Sequence, residues 1–109
     1  MTNKYKKYTD EAKVYDVAKR TPLDYQALLS TRLNNQIYLK REDLQSVFSF
    51  KIRGAYNKLT HLDKKIRDKG IIAASAGNHA QGVAMAAKTL GCKATIVMPK
   101  TTPTIKTNA

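Results

Sequence analysis

The sequence has little of what stabilises small chains covalently or carries them into membranes. Cys92 is the only cysteine among 109 residues, which excludes an internal disulfide and a multi-cysteine metal site. No run approaches the roughly 20 apolar residues of a membrane-spanning helix. The basic N-terminus is not followed by the apolar stretch and cleavage site of a secretory signal. We therefore predict no metal site, no membrane partner and a cytoplasmic location.

Acidic residues are also scarce. Twenty Lys and Arg residues against eight Asp and Glu residues give a formal net charge of +12. Basic chains of this size often bind nucleic acid through phosphate contacts, so a basic nucleic-acid-binding module is one alternative. The basic residues are scattered along the chain, however, and form no Arg-rich or aromatic-interleaved recognition element. We therefore predict no nucleic-acid partner.

The spacing of apolar residues predicts an α/β fold. Gly91 follows an alanine-rich stretch and is predicted to end its helix. A strand, a helix and a second strand in this order predict a βαβ unit with parallel neighbouring strands. The predicted helices cover 9–19, 24–31, 49–68 and 80–90, a further helix begins in 101–106, and the predicted strands cover 36–40, 71–74 and 94–98.

The segment 49–56, Ser-Phe-Lys-Ile-Arg-Gly-Ala-Tyr, holds a lysine suited to nucleophilic catalysis. Lys51 lies between two apolar residues, near Arg53, in the first turn of a predicted helix whose N-terminal dipole is positive. Each of these features disfavours the ammonium form. A lysine that is partly deprotonated can form a Schiff base with a carbonyl group. The alternative for Lys51 is an exposed side chain whose stem covers the helix.

A second segment, 75–82, reads Ser-Ala-Gly-Asn-His-Ala-Gln-Gly and joins a predicted buried strand to a helix. Free backbone N–H groups at such a helix start suit a carboxylate or a phosphate. The segment matches neither the dinucleotide pattern Gly-x-Gly-x-x-Gly nor the phosphate loop ending in Gly-Lys-Ser/Thr, so we expect an amino-acid carboxylate. Asn78 is also typical of a helix N-cap, and His79 of a cap or a donor to the carboxylate.

Together the two segments resemble the lysine and substrate-loop motifs of the threonine dehydratases, pyridoxal 5'-phosphate (PLP) enzymes of the tryptophan synthase β type. Residues 40–44, Lys-Arg-Glu-Asp-Leu, resemble the strand and loop that precede the family's lysine-bearing helix. The resemblance spans about 14–105. It implies an incomplete piece of the tryptophan synthase β-like fold: an N-terminal segment over 1–20, then the N-terminal portion of a PLP-dependent catalytic domain over 21–109, truncated at its C-terminal end.

The resemblance also implies roles for the site residues. Lys51 would carry PLP and remove the α-proton of the substrate, and Gly54 would let the cofactor or another backbone come close. Asn78 would lie beside the cofactor ring. Serine racemases of this fold carry a serine where this chain has Ala76, so the resemblance favours elimination over racemisation. The implied substrate-binding residues are Ser75, Ala76, Gly77, Asn78 and His79.

The implied activity is threonine ammonia-lyase, which converts L-threonine to 2-oxobutanoate and ammonia in isoleucine biosynthesis. L-serine remains open as a second substrate, and the resemblance implies a homo-oligomeric full-length enzyme. The family holds the cofactor phosphate in a glycine-rich cup, whereas this chain has five glycines and no such run. We therefore expect the isolated chain to be inactive. A truncated remnant with no present activity is the alternative that the motifs leave open.

Overall fold

A computed structural model describes residues 3–108 and confirms the α/β class. Two short sheets of two strands each are combined with helices and with two 3-10 turns, Val14–Asp16 and Glu42–Leu44. The helices are α1 Lys4–Asp10, α2 Ala27–Leu33, α3 Lys51–Thr60, α4 Lys64–Arg67, α5 Asn78–Thr89 and α6 Thr104–Thr107. The strands are β1 Leu23–Tyr25, β2 Tyr38–Lys40, β3 Ile71–Ala74 and β4 Ala94–Val97.

The predicted βαβ unit is present as β3, α5 and β4. The two strands pair in parallel, from Ile71 opposite Ala94 to Ala74 opposite Val97. Parallel neighbours need a crossover connection, and α5 provides it. Gly91 follows α5 with a φ of 64°, in the left-handed region that favours glycine at a helix C-terminus. The unit therefore places the start of α5 at the carboxyl end of β3.

The core lies between α3 and α5 and is covered on one side by the parallel sheet. Ile52, Ala55, Tyr56 and Leu59 recur at helical spacing in the sequence, which predicts one apolar face, and they form the buried face of α3. This face meets an alanine-rich face of α5 whose small side chains let the two helices approach closely. From β3 and β4, the side chains that pack against this core are half-buried: Ile71, Ala73, Ala94 and Ile96. The buried core residues of the two helices are Ile52, Ala55, Tyr56, Leu59, Val83, Ala86 and Ala87.

The opposite face of the parallel sheet is open to solvent. Side chains alternate across a strand, so the residues between the core-facing ones point away from the core. Ile72 and Val97 are 73% and 51% exposed. The chain thus presents an apolar strip on the sheet face that α5 does not cover.

Three predicted helices are wrong in extent. In place of a helix over 9–19, α1 starts at Lys4 and ends at Asp10, because Asn3 caps it by accepting a hydrogen bond from the Tyr5 N–H at 3.1 Å. The helix predicted over 49–68 is divided into α3 and α4. The division occurs because the Asp63 side chain accepts from the Lys65 N–H at 2.7 Å and so begins a new helix.

The third error concerns 24–31. Leu23–Tyr25 is strand β1, which pairs antiparallel with β2, and the helix begins only at Ala27. The pairing brings the rings of Tyr25 and Tyr38 to a centroid distance of 5.2 Å. Cross-strand aromatic contacts of this kind stabilise an antiparallel strand pair against the helical preference of the local sequence.

We predict that Leu59→Ala lowers the free energy of unfolding by about 2–5 kcal/mol, since the side chain is 5% exposed and its removal leaves a cavity between α3 and α5. Leu28→Ala is the matched control, because Leu28 also lies in a helix but is 90% exposed. Urea unfolding monitored by circular dichroism measures both. Equal losses for the two variants would contradict the location of the core.

Candidate functional site

Lys51 is the first residue of α3, and its side chain is exposed. Phe50 precedes it as N-cap but makes no side-chain capping bond, and the Lys51 backbone N–H donates to Ser49 Oγ at 3.4 Å. The Lys51 Nζ lies 4.7 Å from the centroid of the Phe50 ring. The amine is therefore accessible to a ligand, at the start of a helix that has no side-chain cap.

Helix α5 approaches α3 closely at Gly82, which is buried. A Cβ atom at Gly82 would lie 3.0 Å from the Lys51 carbonyl carbon and 3.2 Å from the Ile52 N, shorter than the 3.4–4 Å of ordinary contact. Gly82 lies one helical turn after Asn78, on the same side of α5. The contact therefore holds the first turn of α5 beside Lys51.

Sequence reasoning gave Gly82 no role, although a glycine inside a helix is a usable signal of close packing. It placed a close approach at Gly54 instead. A Cβ at Gly54 would meet no atom of another part of the described chain within 4 Å, so the close approach of a second backbone occurs at Gly82 of α5 and not at Gly54. An approach of the cofactor to Gly54 stays a prediction.

The loop 75–77 leaves the parallel sheet at the carboxyl end of its strands. The Ser75 N–H donates to the Val97 carbonyl at 3.0 Å, and the Gly77 N–H donates to Ser75 Oγ at 3.3 Å. Ser75 and Ala76 line a shallow groove with the residues that end β4. Ligands of open α/β sheets bind at this end of the strands, so the groove lies where a substrate is expected.

Gly77 is the N-cap of α5, and no side chain caps that helix. The interpretation of Asn78 as the N-cap is therefore wrong. The first turn of α5 keeps N–H groups that no side-chain cap occupies, and these point toward the loop. Such groups, with the positive end of the helix dipole, favour a bound carboxylate.

The structure separates the two polar side chains that follow the loop. Asn78 Oδ1 accepts a hydrogen bond from Lys106 Nζ at 3.4 Å. His79 instead lines a cavity of about 370 Å³ between α3 and β3, together with Gly54 and Lys58. Ser75 and Ala76 thus line the groove, whereas Asn78 contacts Lys106 and His79 lines a different cavity.

A cluster of charged and aromatic side chains flanks the start of α3. Arg53 Nη2 donates to the Tyr15 hydroxyl at 3.3 Å, and Nη1 lies 3.9 Å from Glu42 Oε1. The hydrogen bond from Arg53 and its positive charge lower the pKa of Tyr15, with a smaller contribution from the charge of Arg20. The Arg20 guanidinium lies 3.9 Å from the centroid of the same ring. Two arginines therefore contact one tyrosine beside the lysine helix.

Metal binding and membrane insertion were both predicted to be absent. Residues 3–108 contain no group of three or more His, Cys, Asp or Glu side chains that could hold a metal ion. No helix in this part of the chain combines the length and the apolar character needed to cross a membrane.

Residues 14–109 match a family model described as pyridoxal-phosphate dependent enzyme. The chain belongs to this family. Threonine dehydratase 1 biosynthetic, chloroplastic, of Solanum lycopersicum is 63% identical over 95 residues, which are 87% of this chain and 16% of that protein. Threonine dehydratase, mitochondrial, of Schizosaccharomyces pombe is 57% identical over 105 residues, which are 96% of this chain and 18% of that protein. The chain thus spans less than a fifth of these relatives.

Solved structures give the same fold. The processed form of threonine deaminase isoform 2 from Solanum lycopersicum matches with a TM-score of 0.89 and 51% identity, over 99% of this chain and 31% of that chain. Maize serine racemase matches with a TM-score of 0.86 and 33% identity, over 94% of this chain and 31% of that chain. The prediction that this chain is a piece of the tryptophan synthase β-like fold is confirmed.

We predict that Gly82→Ala displaces the first turn of α3, because the new methyl group must push against the Lys51 backbone. Overpacking of this kind costs about 1–3 kcal/mol, partly offset by the higher helix propensity of alanine. Gly54→Ala is the matched control, since its Cβ has free space, and it should be neutral or stabilising by about 0.5–1 kcal/mol. Thermal unfolding measures both, and a Gly82→Ala variant as stable as Gly54→Ala would contradict the close contact.

Proposed function

We propose that this chain supplies the cofactor lysine and the substrate loop of a threonine dehydratase, a PLP enzyme that converts L-threonine to 2-oxobutanoate and ammonia. The observation that carries the proposal is the contact at Gly82, which holds Lys51 beside the start of α5. The loop 75–77 leads into that helix start. The names and the 55–63% identities of the relatives support the same activity.

The residues present suit PLP. Lys51 offers an accessible primary amine that would hold the cofactor aldehyde, and Asn78 offers an amide that can donate and accept without a change of charge. The carboxyl end of a parallel sheet and a helix start without a side-chain cap provide the usual location for an anionic ligand. When bound, PLP withdraws electrons from the α-carbon of an attached amino acid and so makes its proton acidic.

The chain's own groups would then divide the work of elimination. The free N–H groups of the first turn of α5 hold the substrate carboxylate and so fix the orientation of the α-carbon. Lys51 Nζ would take the α-proton as general base. The β-hydroxyl would take up a proton and leave as water, and water would then hydrolyse the resulting enamine to 2-oxobutanoate and ammonia. Both groups act from helix starts, and the contact between Gly82, one turn into α5, and the Lys51 backbone holds the two helices together.

Ala76 supports elimination over racemisation. A racemase must return a proton to the opposite face of the α-carbon, and the resemblance implies that serine racemases of this fold carry a serine where this chain has Ala76. The methyl group of Ala76, which lines the groove beside Ser75, cannot donate a proton. L-serine also carries a β-hydroxyl and is the second candidate substrate.

Several parts of the proposal go beyond the described residues. A role in isoleucine biosynthesis and a homo-oligomeric whole enzyme agree with the proposed activity. Relatives named chloroplastic and mitochondrial stand beside bacterial ones, and the cytoplasmic location remains a prediction. The division into a segment over 1–20 and a catalytic portion over 21–109 likewise remains a prediction.

We predict that Lys51→Ala in the whole enzyme that contains this chain abolishes the conversion of threonine, because Lys51 is the lysine whose backbone α5 contacts at Gly82. Lys65→Ala is the matched control, since Lys65 is an exposed lysine on α4 and should leave turnover unchanged. Formation of 2-oxobutanoate measures both variants. Normal turnover by Lys51→Ala would refute the proposed role of Lys51.

We also predict that the purified 109-residue chain alone forms no measurable 2-oxobutanoate from threonine with PLP. It spans only 16–18% of its whole relatives, and it has no glycine-rich run to bind the cofactor phosphate. The positive control is the same chain mixed with a second polypeptide that supplies the remaining residues of a threonine dehydratase. Turnover by the chain alone would show that the groove already forms a complete site.

A further inference from the structure

The start of α3 depends on tertiary contacts. Its N-cap, Phe50, contributes no side-chain hydrogen bond, and the Lys51 N–H reaches Ser49 Oγ only at a long 3.4 Å. A helix of ten residues gains little stability from its own propensity, so this weakly capped first turn needs further contacts. Ile52 and the contact at Gly82 hold the buried side of this turn. A different set of contacts must hold the side that faces away from α5.

Arg53 provides those contacts, in the same helical turn as Lys51. Its guanidinium donates to the Tyr15 hydroxyl at 3.3 Å and lies 5.0 Å from the centroid of that ring. Its Nη1 atom is buried, makes no hydrogen bond within residues 3–108 and faces the carboxylate of Glu42 at 3.9 Å. The side chain therefore joins the first turn of α3 to two separate segments.

Glu42 is itself held in place. Its side chain is 15% exposed, and its Oε1 accepts from the Thr21 hydroxyl at 2.7 Å while its Oε2 accepts from Gln45 Nε2 at 3.1 Å. Gln45 is 1% exposed, and its amide also exchanges two hydrogen bonds of 2.9 Å with the backbone of Lys19. The carboxylate that faces Arg53 is thus fixed by a satisfied polar network, which preserves its position.

We propose that Arg53 and Glu42 are positioning residues for Lys51: together they fix the first turn of α3, and with it the lysine amine, against the segment 15–21. The inference rests on the proposed function, since it assumes that the position of Lys51 matters for chemistry. It assigns a role to Glu42 within the segment Lys-Arg-Glu-Asp-Leu over 40–44, which the mechanism above does not use. It also explains why an arginine stands two residues after the lysine.

The neighbouring Arg41 also forms ion pairs, but the proposal gives them no part in positioning Lys51. Arg41 pairs with Asp24 at 2.9 Å and Asp43 at 2.8 Å, and within residues 3–108 neither carboxylate forms an ion pair or a side-chain hydrogen bond with α3. Loss of the Arg41 hydrogen bonds should lower the free energy of unfolding without moving Lys51. Arg41→Lys is therefore the matched control for Arg53→Lys, because both keep the charge and lose the planar guanidinium.

The experiment uses the whole enzyme, with Arg53→Lys, Glu42→Gln, the double variant and Arg41→Lys. One readout is the rate at which the apoenzyme, given PLP and trapped with borohydride, gains a pyridoxyl label on Lys51. The others are kcat and KM for threonine and the thermal unfolding midpoint. We expect the labelling rate and kcat to fall by about tenfold in each single variant, with KM within about twofold, since small displacements of a reacting group are costly.

The double variant should be no more than about twofold slower than either single variant, because the two residues act through one contact. Arg41→Lys should keep both rates within about twofold of the unsubstituted enzyme. If Arg53→Lys does not fold, Tyr15→Phe tests the same point by removing the hydroxyl that accepts from Arg53, with an expected loss of about threefold in labelling rate.

Unchanged labelling rates in the variants, with only a lower unfolding midpoint, would overturn the inference and leave a purely structural network. A label on a lysine other than Lys51 in the unsubstituted enzyme would instead overturn the proposed function. The two failures are therefore distinguishable in a single set of measurements.

Discussion

The close contact between α5 and α3 is the constraint on which the rest of the structure depends. Because Gly82 has no side chain, the Lys51 backbone can lie so close that a Cβ atom at Gly82 would be only 3.0 Å from the Lys51 carbonyl carbon. That approach lets the alanine face of α5 bury Ile52 and Leu59 of α3, and it brings two helix starts together at the carboxyl end of the parallel sheet. The core and the candidate site therefore share one contact.

The lysine helix is held by two different kinds of interaction on its two sides. On the inner side, apolar burial against α5 supplies most of the stabilisation but does not by itself fix the rotation of a first turn whose N-cap residue makes no side-chain hydrogen bond. On the outer side, Arg53 contacts Tyr15 and Glu42, and directional polar contacts fix orientation better than apolar packing does. To hold a reactive amine in place on the first residue of α3, both the apolar packing and the polar contacts are required.

The sequence predicted the parts of this arrangement that local pattern encodes. The apolar spacing of Ile52 to Leu59 identified the inner face of α3, and the buried-type strands around an alanine-rich helix identified the βαβ unit. The pairing of Leu23–Tyr25 with β2 could not be predicted, because the contact between separate segments overrides the local helical spacing. The contacts of Gly82 with Lys51 and of Arg53 with Tyr15 join residues far apart in the chain, so only the folded chain reveals them.

The central claim is that Lys51, held at the contact between α3 and α5, is the lysine that binds PLP. The most direct measurement is reduction of the whole holoenzyme with borohydride, followed by peptide mass spectrometry to locate the pyridoxyl group. This chain contains fifteen lysines, so fourteen of them serve as internal controls. The account predicts a single stable label on Lys51. A label on any other lysine, with Lys51 unmodified, would contradict it.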